Sequence, residues 1–231
     1  MTFKAILWDC DGCLIDSEAI ACGHAADELT QAGYPITMHD FVVRFAGKTR
    51  ADIYAIVKAE TGIDLHERID LAQTRLERRA RFERELQAID GIHDALMALD
   101  HLPMAIASGS EFERLEHTLK LTNLFDRFMP HIYSSALVPH GKPAPDVFFY
   151  AAKQLGVAPT DCLVIEDSEN GVRAGKAAGM TVFGFTGGSH VPDPLAHAAI
   201  LRDLGADEVF HHMSALPMLL QPVPDLLEEA L

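Results

Sequence analysis

Cysteine is scarce in this chain. Cys10, Cys13, Cys22 and Cys162 are the four in 231 residues, too few to staple a fold of this size with disulfides. Basic residues are also few, 19 Lys and Arg against 34 Asp and Glu, for a formal charge of −15. That excess repels nucleic-acid phosphates and anionic lipid head groups over most of the surface, which disfavours both as partners. Long apolar runs are missing as well: no stretch reaches the ~18 residues needed to cross a bilayer, so a spanning helix is excluded. Lys4 interrupts the opening residues before a secretory apolar core can form, no targeting segment is visible, and the cytoplasm is the expected location. Cys10-x-x-Cys13 has the spacing of a redox pair or half a zinc site, but no second CxxC follows, and the pair is interleaved with acidic residues, Asp9 before it and Asp11 within it. The acidic residues explain the segment better.

What is present is a globular chain, 48% hydrophobic, of a length that suits one domain with an insertion, or one large and one small domain. Lys4 to Trp8 is a short apolar run ending abruptly at Asp9, the pattern of a buried strand. The design recurs at Pro103 to Ala107 before Ser108, at Cys162 to Ile165 before Glu166 and Asp167, and at Met180 to Phe185 before Thr186. Helical patterns lie between. Ser110 and Glu113 have capping-box spacing for a helix running to about Lys120; Pro145 opens another that stops at Gly156, and Asn170 to Ala178 a third that stops at Gly179. Strand and helix in alternation predict an α/β fold, a doubly wound parallel sheet covered on both faces.

From about Asp16 to Gln87 the alternation fails, and helical periodicity continues without a convincing strand. Thr37-x-x-Asp40 reads as a capping box, Gly33-Tyr34-Pro35 and Gly62 divide helical pieces, and Leu65, Ile69, Ala72 and Leu76 fall at helical spacing. We expect an all-helical insert over residues 16–87 and a sheet domain made of 1–15 and 88–231, joined by two chain crossings that could hinge. After Val209 the prolines Pro217, Pro222 and Pro224 among leucines suggest a short helix and a packed or frayed end.

Ligands of open parallel sheets collect beyond the carboxyl ends of the strands, so Asp9, Asp11, Ser108, Lys142, Glu166 and Asp167 should converge. Several carboxylates in one place repel each other unless a cation is present or some are protonated. Oxygen-only donors around an open site favour Mg²⁺ over zinc.

Asp9-Cys10-Asp11-Gly12-Cys13-Leu14-Ile15-Asp16-Ser17-Glu18 resembles the DxDGxxxDSE opening of the haloacid dehalogenase-like hydrolases, in the subgroup of β-phosphoglucomutase and small sugar-phosphate phosphatases. Ser108 in Ala-Ser-Gly-Ser, Lys142 in Gly-Lys-Pro-Ala-Pro-Asp, and Glu166-Asp167-Ser168-Glu169-Asn170-Gly171 resemble the later motifs in the right order, so the likeness spans about residues 3–190. It implies a Rossmann-like core with a helical cap, and Asp9 as a nucleophile that takes the phosphoryl group. It also implies Mg²⁺ held by Asp9, the Asp11 carbonyl and Asp167, with Glu166 as ligand or as holder of a metal-bound water. Lys142 and Ser108 would meet the transferring oxygens, helped by amides at the helix start after Gly109. Asp11 would protonate the leaving oxygen and then activate water. Dehalogenase relatives lack that second carboxylate, so its presence points to P–O chemistry.

Phe45-Ala46-Gly47-Lys48-Thr49-Arg50 resembles the specificity loop of the same subgroup, which makes Gly47, Lys48 and Arg50 candidates for contact with the distal part of a substrate. Asp16 and Ser17 read as caps of the first inserted helix. The arginine-rich run from Arg75 to Arg84 reads as a salt-bridged surface. Most of the twelve histidines read as surface or packing residues. The expected protein is a cytoplasmic, monomeric, Mg²⁺-dependent phosphatase of small phosphorylated metabolites, sugar or sugar-acid phosphates. A phosphosugar mutase shares every catalytic residue, and a non-catalytic binding protein could keep the pocket.

Overall fold

The computed structural model describes residues 3–45 and 47–221. Six strands form one parallel sheet: β1 Ala5–Trp8, β2 Met104–Ser108, β3 Ile132–Ser134, β4 Cys162–Glu166, β5 Thr181–Phe185 and β6 Glu208–Phe210. Their spatial order is β3-β2-β1-β4-β5-β6. The winding reverses between β1 and β4, where a crevice opens at the carboxyl ends. Twelve helices are described: α1 Glu18–Gln31, α2 Met38–Phe45, α3 Arg50–Thr61, α4 Leu65–Arg68, α5 Leu71–Glu85, α6 Ile92–Ala98, α7 Phe112–Leu121, α8 Phe125–Phe128, α9 Asp146–Leu155, α10 Glu169–Ala177, α11 Pro194–Asp203 and α12 Leu216–Leu219.

β1 is apolar throughout because both of its faces are covered. Ile6 and Trp8 pack with Leu96 of α6, Leu115 of α7 and Phe128 of α8, while Ala5 and Leu7 pack with Phe148 of α9 and Val172 of α10. Side chains of this size contribute about 1.5–3 kcal/mol each when fully buried. Trp8 lies level with Ile106 of β2 and Ile165 of β4, and the Asp9 amide donates to the Ile165 carbonyl at 2.9 Å. This register sets Asp9 beside Glu166 and lines up the polar strand ends.

The helices α1 to α4 have a core of their own, built on Leu29, Phe41, Phe45, Tyr54, Val57 and Leu65. The chain enters and leaves them side by side: Ile15 pairs antiparallel with Ala88, and the Asp16 amide donates to the Gln87 carbonyl at 3.0 Å. Phe82 and Leu86, at the end of α5 and just beyond it, join the sheet domain's core instead.

Four expectations change. Strands β3 and β6 have no counterpart among the sequence patterns, because three residues carry no period. Leu65 to Leu76 is not one helix: Asp70 caps a new one by accepting from the Ala72 and Gln73 amides, which leaves Leu76 exposed. Ser110 forms no capping box, and α7 has Glu111 at its N-cap with no side-chain cap bond. Ser17 does stand at the N-cap of α1 but accepts no amide. Both hydroxyls turn to Asp11 instead. α12 supplies the short helix expected near the end, whereas Pro222 and Pro224 lie outside the described residues.

Candidate active site

Four of the expected residues meet at the switch point. Lys142 Nζ donates to Asp9 Oδ1 at 2.5 Å and to Glu166 Oε2 at 2.7 Å. Asp9, Glu166 and Asp167 bring one carboxylate oxygen each within 4.8 Å of one another. Burial pushes Asp9 well above the usual carboxylate range, with Glu166 adding repulsion and Lys142 opposing both. Glu166 is raised for the same first reason, although Lys142 and Ser168 hold it down in part. For Lys142 burial would favour the neutral amine, but Asp9 and Glu166 outweigh it and keep the group charged. Its other Glu166 oxygen accepts from the Ser168 hydroxyl at 2.8 Å and the Ser168 amide at 3.1 Å. Two glycines make room: a Cβ at Gly171 would sit 1.8 Å from Glu166 Cδ, and one at Gly12, where φ is +82°, 2.1 Å from Asp167 Oδ2.

The carboxylate of Asp11 faces different partners. Ser17 and Arg114 donate to its Oδ1, the latter at 2.7 Å, and Ser110 donates to Oδ2 at 2.6 Å. Burial alone would raise its pKa, but Arg114 and the two hydroxyls outweigh burial and lower it. This explains the corrections at Ser17 and Ser110: an ionised carboxylate is a stronger acceptor than a helix amide is a donor.

Asp167 is held on several sides. Its Oδ2 lies 3.1 Å from His190 Nε2, and its backbone carbonyl 2.6 Å from His197 Nε2. The Cys13 thiol donates to Oδ1 at 3.7 Å, and burial pushes that thiol well above its ordinary pKa. Cys13 is therefore a neutral donor here, which takes the CxxC spacing out of redox chemistry.

A cleft of about 580 Å³ opens over these groups. Asp9, Asp11, Gly47, Ser108, Gly109, Lys142 and Asp167 line it, joined by Glu18, Ser110, Arg114, His190 and His197. Ser108 is buried, and its hydroxyl oxygen accepts from the Ser110 amide at 3.1 Å. The specificity loop divides. Gly47 reaches the cleft, Lys48 is exposed beside it, and Arg50 turns away to Glu28 at 2.9 Å and Tyr54 at 3.0 Å within the insert. Arg44 is likewise taken up by Tyr34 and Glu60. Ala46 lies outside the described residues. The donor set fits a hard divalent cation: three buried carboxylates, with no nitrogen or sulfur in the group.

A family model described as haloacid dehalogenase-like hydrolase matches residues 3–179. The chain belongs to the haloacid dehalogenase-like hydrolases. Among its relatives, the 6-phosphogluconate phosphatase of Escherichia coli strain K12 is 30% identical over 216 residues, 94% of each chain. A haloacid dehalogenase-like protein from Agrobacterium tumefaciens C58 superposes with a TM-score of 0.84 at 39% identity, over 94% of this chain and 97% of that one. A family hydrolase from Deinococcus radiodurans R1, solved with bound phosphate and sodium, gives 0.80 at 32% identity over 96% and 99%.

In this haloacid dehalogenase-like hydrolase, sequence reasoning missed Arg114, His190 and His197, which arrive from α7, from the loop between β5 and α11, and from α11. Only Arg114 left a signal, as a cation six residues after the strand-end Ser108. Glu18, quoted only as part of the opening motif, also lines the cleft. Burial pushes its carboxyl up to about 7, with Asp11 and Asp167 adding to the rise and Arg114 and His190 opposing it. A folded pKa above the unfolded value means that the protonated form stabilises the fold. That contribution is full below the unfolded pKa of about 4.3 and is lost as pH rises through about 7. Glu18→Gln in chelated protein should therefore gain on the wild type over that window, by roughly 1–3 kcal/mol, and then level off. Melting curves across pH check this, and a gap between the two proteins that stays constant would contradict it.

Proposed function

We propose that the protein is a Mg²⁺-dependent phosphatase of small phosphorylated metabolites, sugar or sugar-acid phosphates, working through a phosphorylated Asp9. The observation that carries this is the buried meeting of Asp9, Glu166 and Asp167 with Lys142 bonded to two of them. A nucleophilic carboxylate approaching an anionic phosphate to ~4 Å meets repulsion of order 4 kcal/mol at an effective dielectric near 20. Such an approach needs built-in positive charge, and Lys142 supplies part of it.

The remaining residues take roles in sequence. Asp9 attacks phosphorus, the P–O bond to the substrate breaks, and Asp11, ionised in the free protein, passes to the leaving oxygen a proton that it takes up from the bound phosphate monoanion or from water. Asp11, again a carboxylate, takes a proton from water as that water attacks the Asp9 phosphoryl group; inorganic phosphate leaves, and loss of the proton to solvent restores both side chains. Ser108 and the backbone at Gly109 orient the transferring oxygens, and Lys142 balances their charge. Asp9 and Asp167, with the Asp11 carbonyl, would hold Mg²⁺, with Glu166 as a further ligand or through water. When bound, the ion supplies Lewis-acid neutralisation of the phosphoryl oxygens. The helical insert would close over the cleft and limit water. Gly47 and Lys48 would face the distal part of the substrate, and Arg50 would stiffen that loop through Glu28. We propose further that the enzyme works in the cytoplasm as a monomer.

The E. coli relative's name supports a sugar acid as substrate. A panel of phosphorylated sugars and sugar acids should release free phosphate with Mg²⁺ present, and EDTA should remove at least about 99% of the rate, restored by Mg²⁺. Conversion of a hexose phosphate to an isomer without phosphate release would make the protein a mutase instead. Activity unchanged by chelator would refute the metal site.

A further inference from the structure

The arginine that lines the cleft comes from the sheet domain, not from the insert where the sequence places its basic loop. Arg114 lies in the first turn of α7, and its fork is divided: Nη2 donates to Asp11 Oδ1 at 2.7 Å, and Nη1 to Ser110 Oγ at 2.7 Å. Ser110 passes the bond on by donating to Asp11 Oδ2 at 2.6 Å. The guanidinium carbon stands 5.4 Å from the ring centroid of Phe82 on α5.

We propose that Arg114 is a positioning residue, which together with Ser110 fixes the Asp11 carboxyl for proton exchange with the substrate's ester oxygen. Phe82 ties that placement to the seating of the helical insert. The inference rests on the reading of Asp11 as the group that protonates the leaving oxygen. A carboxylate on an aspartate turns about two bonds, and a proton transfer needs it held to within hydrogen-bond reach. Here both oxygens are engaged, Oδ1 by Ser17 and Arg114 and Oδ2 by Ser110, so neither torsion is free. A planar guanidinium suits this task better than an ammonium, because one rigid fork meets both the carboxylate and the hydroxyl that relays to it. The Arg114 Nε is buried with no partner among the described residues, so its bonds are concentrated at the fork. The Phe82 ring supports the flat face of the fork. Since α5 ends the insert, a shift of the insert reaches Asp11 through this stack.

A mere structural ion pair and a positioning residue differ in how the damage depends on the leaving group. 4-Nitrophenyl phosphate releases a stable anion that needs little protonation, whereas an alkyl phosphate such as glycerol phosphate releases an alkoxide that needs the proton. Asp11→Asn should lower kcat for the alkyl ester about 100-fold more than for the aryl ester. Arg114→Met should show the same split at about 10- to 100-fold, in kcat rather than KM, and Arg114→Lys should fall between it and the wild type. Adding Arg114→Met to Asp11→Asn should not widen the split. Ser110→Ala and Phe82→Leu, milder changes that keep the ion pair, should give smaller splits in the same direction and serve if Arg114→Met does not fold. Equal losses on both esters in the Arg114, Ser110 and Phe82 variants, or changes confined to KM, would overturn the inference while an Asp11→Asn split leaves the reading of Asp11 standing. No split in Asp11→Asn itself would remove that reading and the inference with it.

Discussion

Asp9→Asn is expected to leave phosphate release at least about 10⁴-fold below the wild type while the protein stays folded. The amide keeps the shape of the carboxylate and its carbonyl oxygen can still accept from Lys142, but it cannot take the phosphoryl group. Stability should hold or rise, for an electrostatic reason. In the wild type Asp9 is buried beside Glu166 and Asp167 with Lys142 as the cation bonded to the cluster. Burial and the Glu166 charge both resist its ionisation. Asparagine removes one member of a mutually repelling set and leaves Lys142 paired with Glu166 at 2.7 Å. The nucleophile is thus a group that the fold holds at some cost, and its loss should separate function from stability. Phosphate release and thermal melting, measured on the same preparation, check both halves. A variant that keeps more than about 1% of turnover would count against Asp9 as the nucleophile.

The fold was legible where chemistry is written locally. A buried strand ending in a carboxylate, as at Asp9 and at Glu166, needs neighbours on both faces, so the apolar run and the polar stop appear together in the sequence. The parallel sheet follows from helices between such runs. β3 and β6 did not announce themselves, because Ile132–Ser134 and Glu208–Phe210 are three residues long and depend on the strands beside them. Capping signals misled at Ser17 and Ser110 for one reason: a spacing rule assumes that the backbone amide is the best partner available, and here Asp11 is a better one. Basic residues misled in the opposite sense. Arg50 stands in the specificity loop by sequence but is bonded to Glu28, 22 positions away, whereas Arg114 stands in no motif and lines the cleft. His190 bonds Asp167 from a loop that nothing in its local pattern marks. Long-range pairing decides which charged side chains are free to act, and a single sequence does not record it.

Lys142→Met should produce the largest combined effect, a loss of about 3–5 kcal/mol near neutral pH in the absence of metal together with a fall in kcat of about 10² or more. Methionine can keep the stem's packing, which sets Nζ 4.9 Å from the Phe148 ring centroid, so the change isolates the charge. With it gone, Asp9 and Glu166 are left buried against Asp167 with no ammonium bonded to them. The sign with pH follows from the directions of the shifts. Lys142 is held charged above its ordinary pKa, so its contribution is full through neutrality and fades only in strong alkali. The carboxylates are raised by burial, so acid protonates them early and removes the repulsion that Lys142 balances. The deficit of the variant should therefore shrink as pH falls towards about 5 and widen as pH rises to about 8. Millimolar Mg²⁺ should raise the melting temperature of the variant more than that of the wild type, because a divalent ion replaces the missing charge and meets no ammonium beside it. Turnover should not return with stability, since Lys142 also meets the phosphoryl oxygens. A deficit that ignores both pH and Mg²⁺ would mean that Lys142 acts through packing alone, and the carboxylates would then not be the reason for its burial.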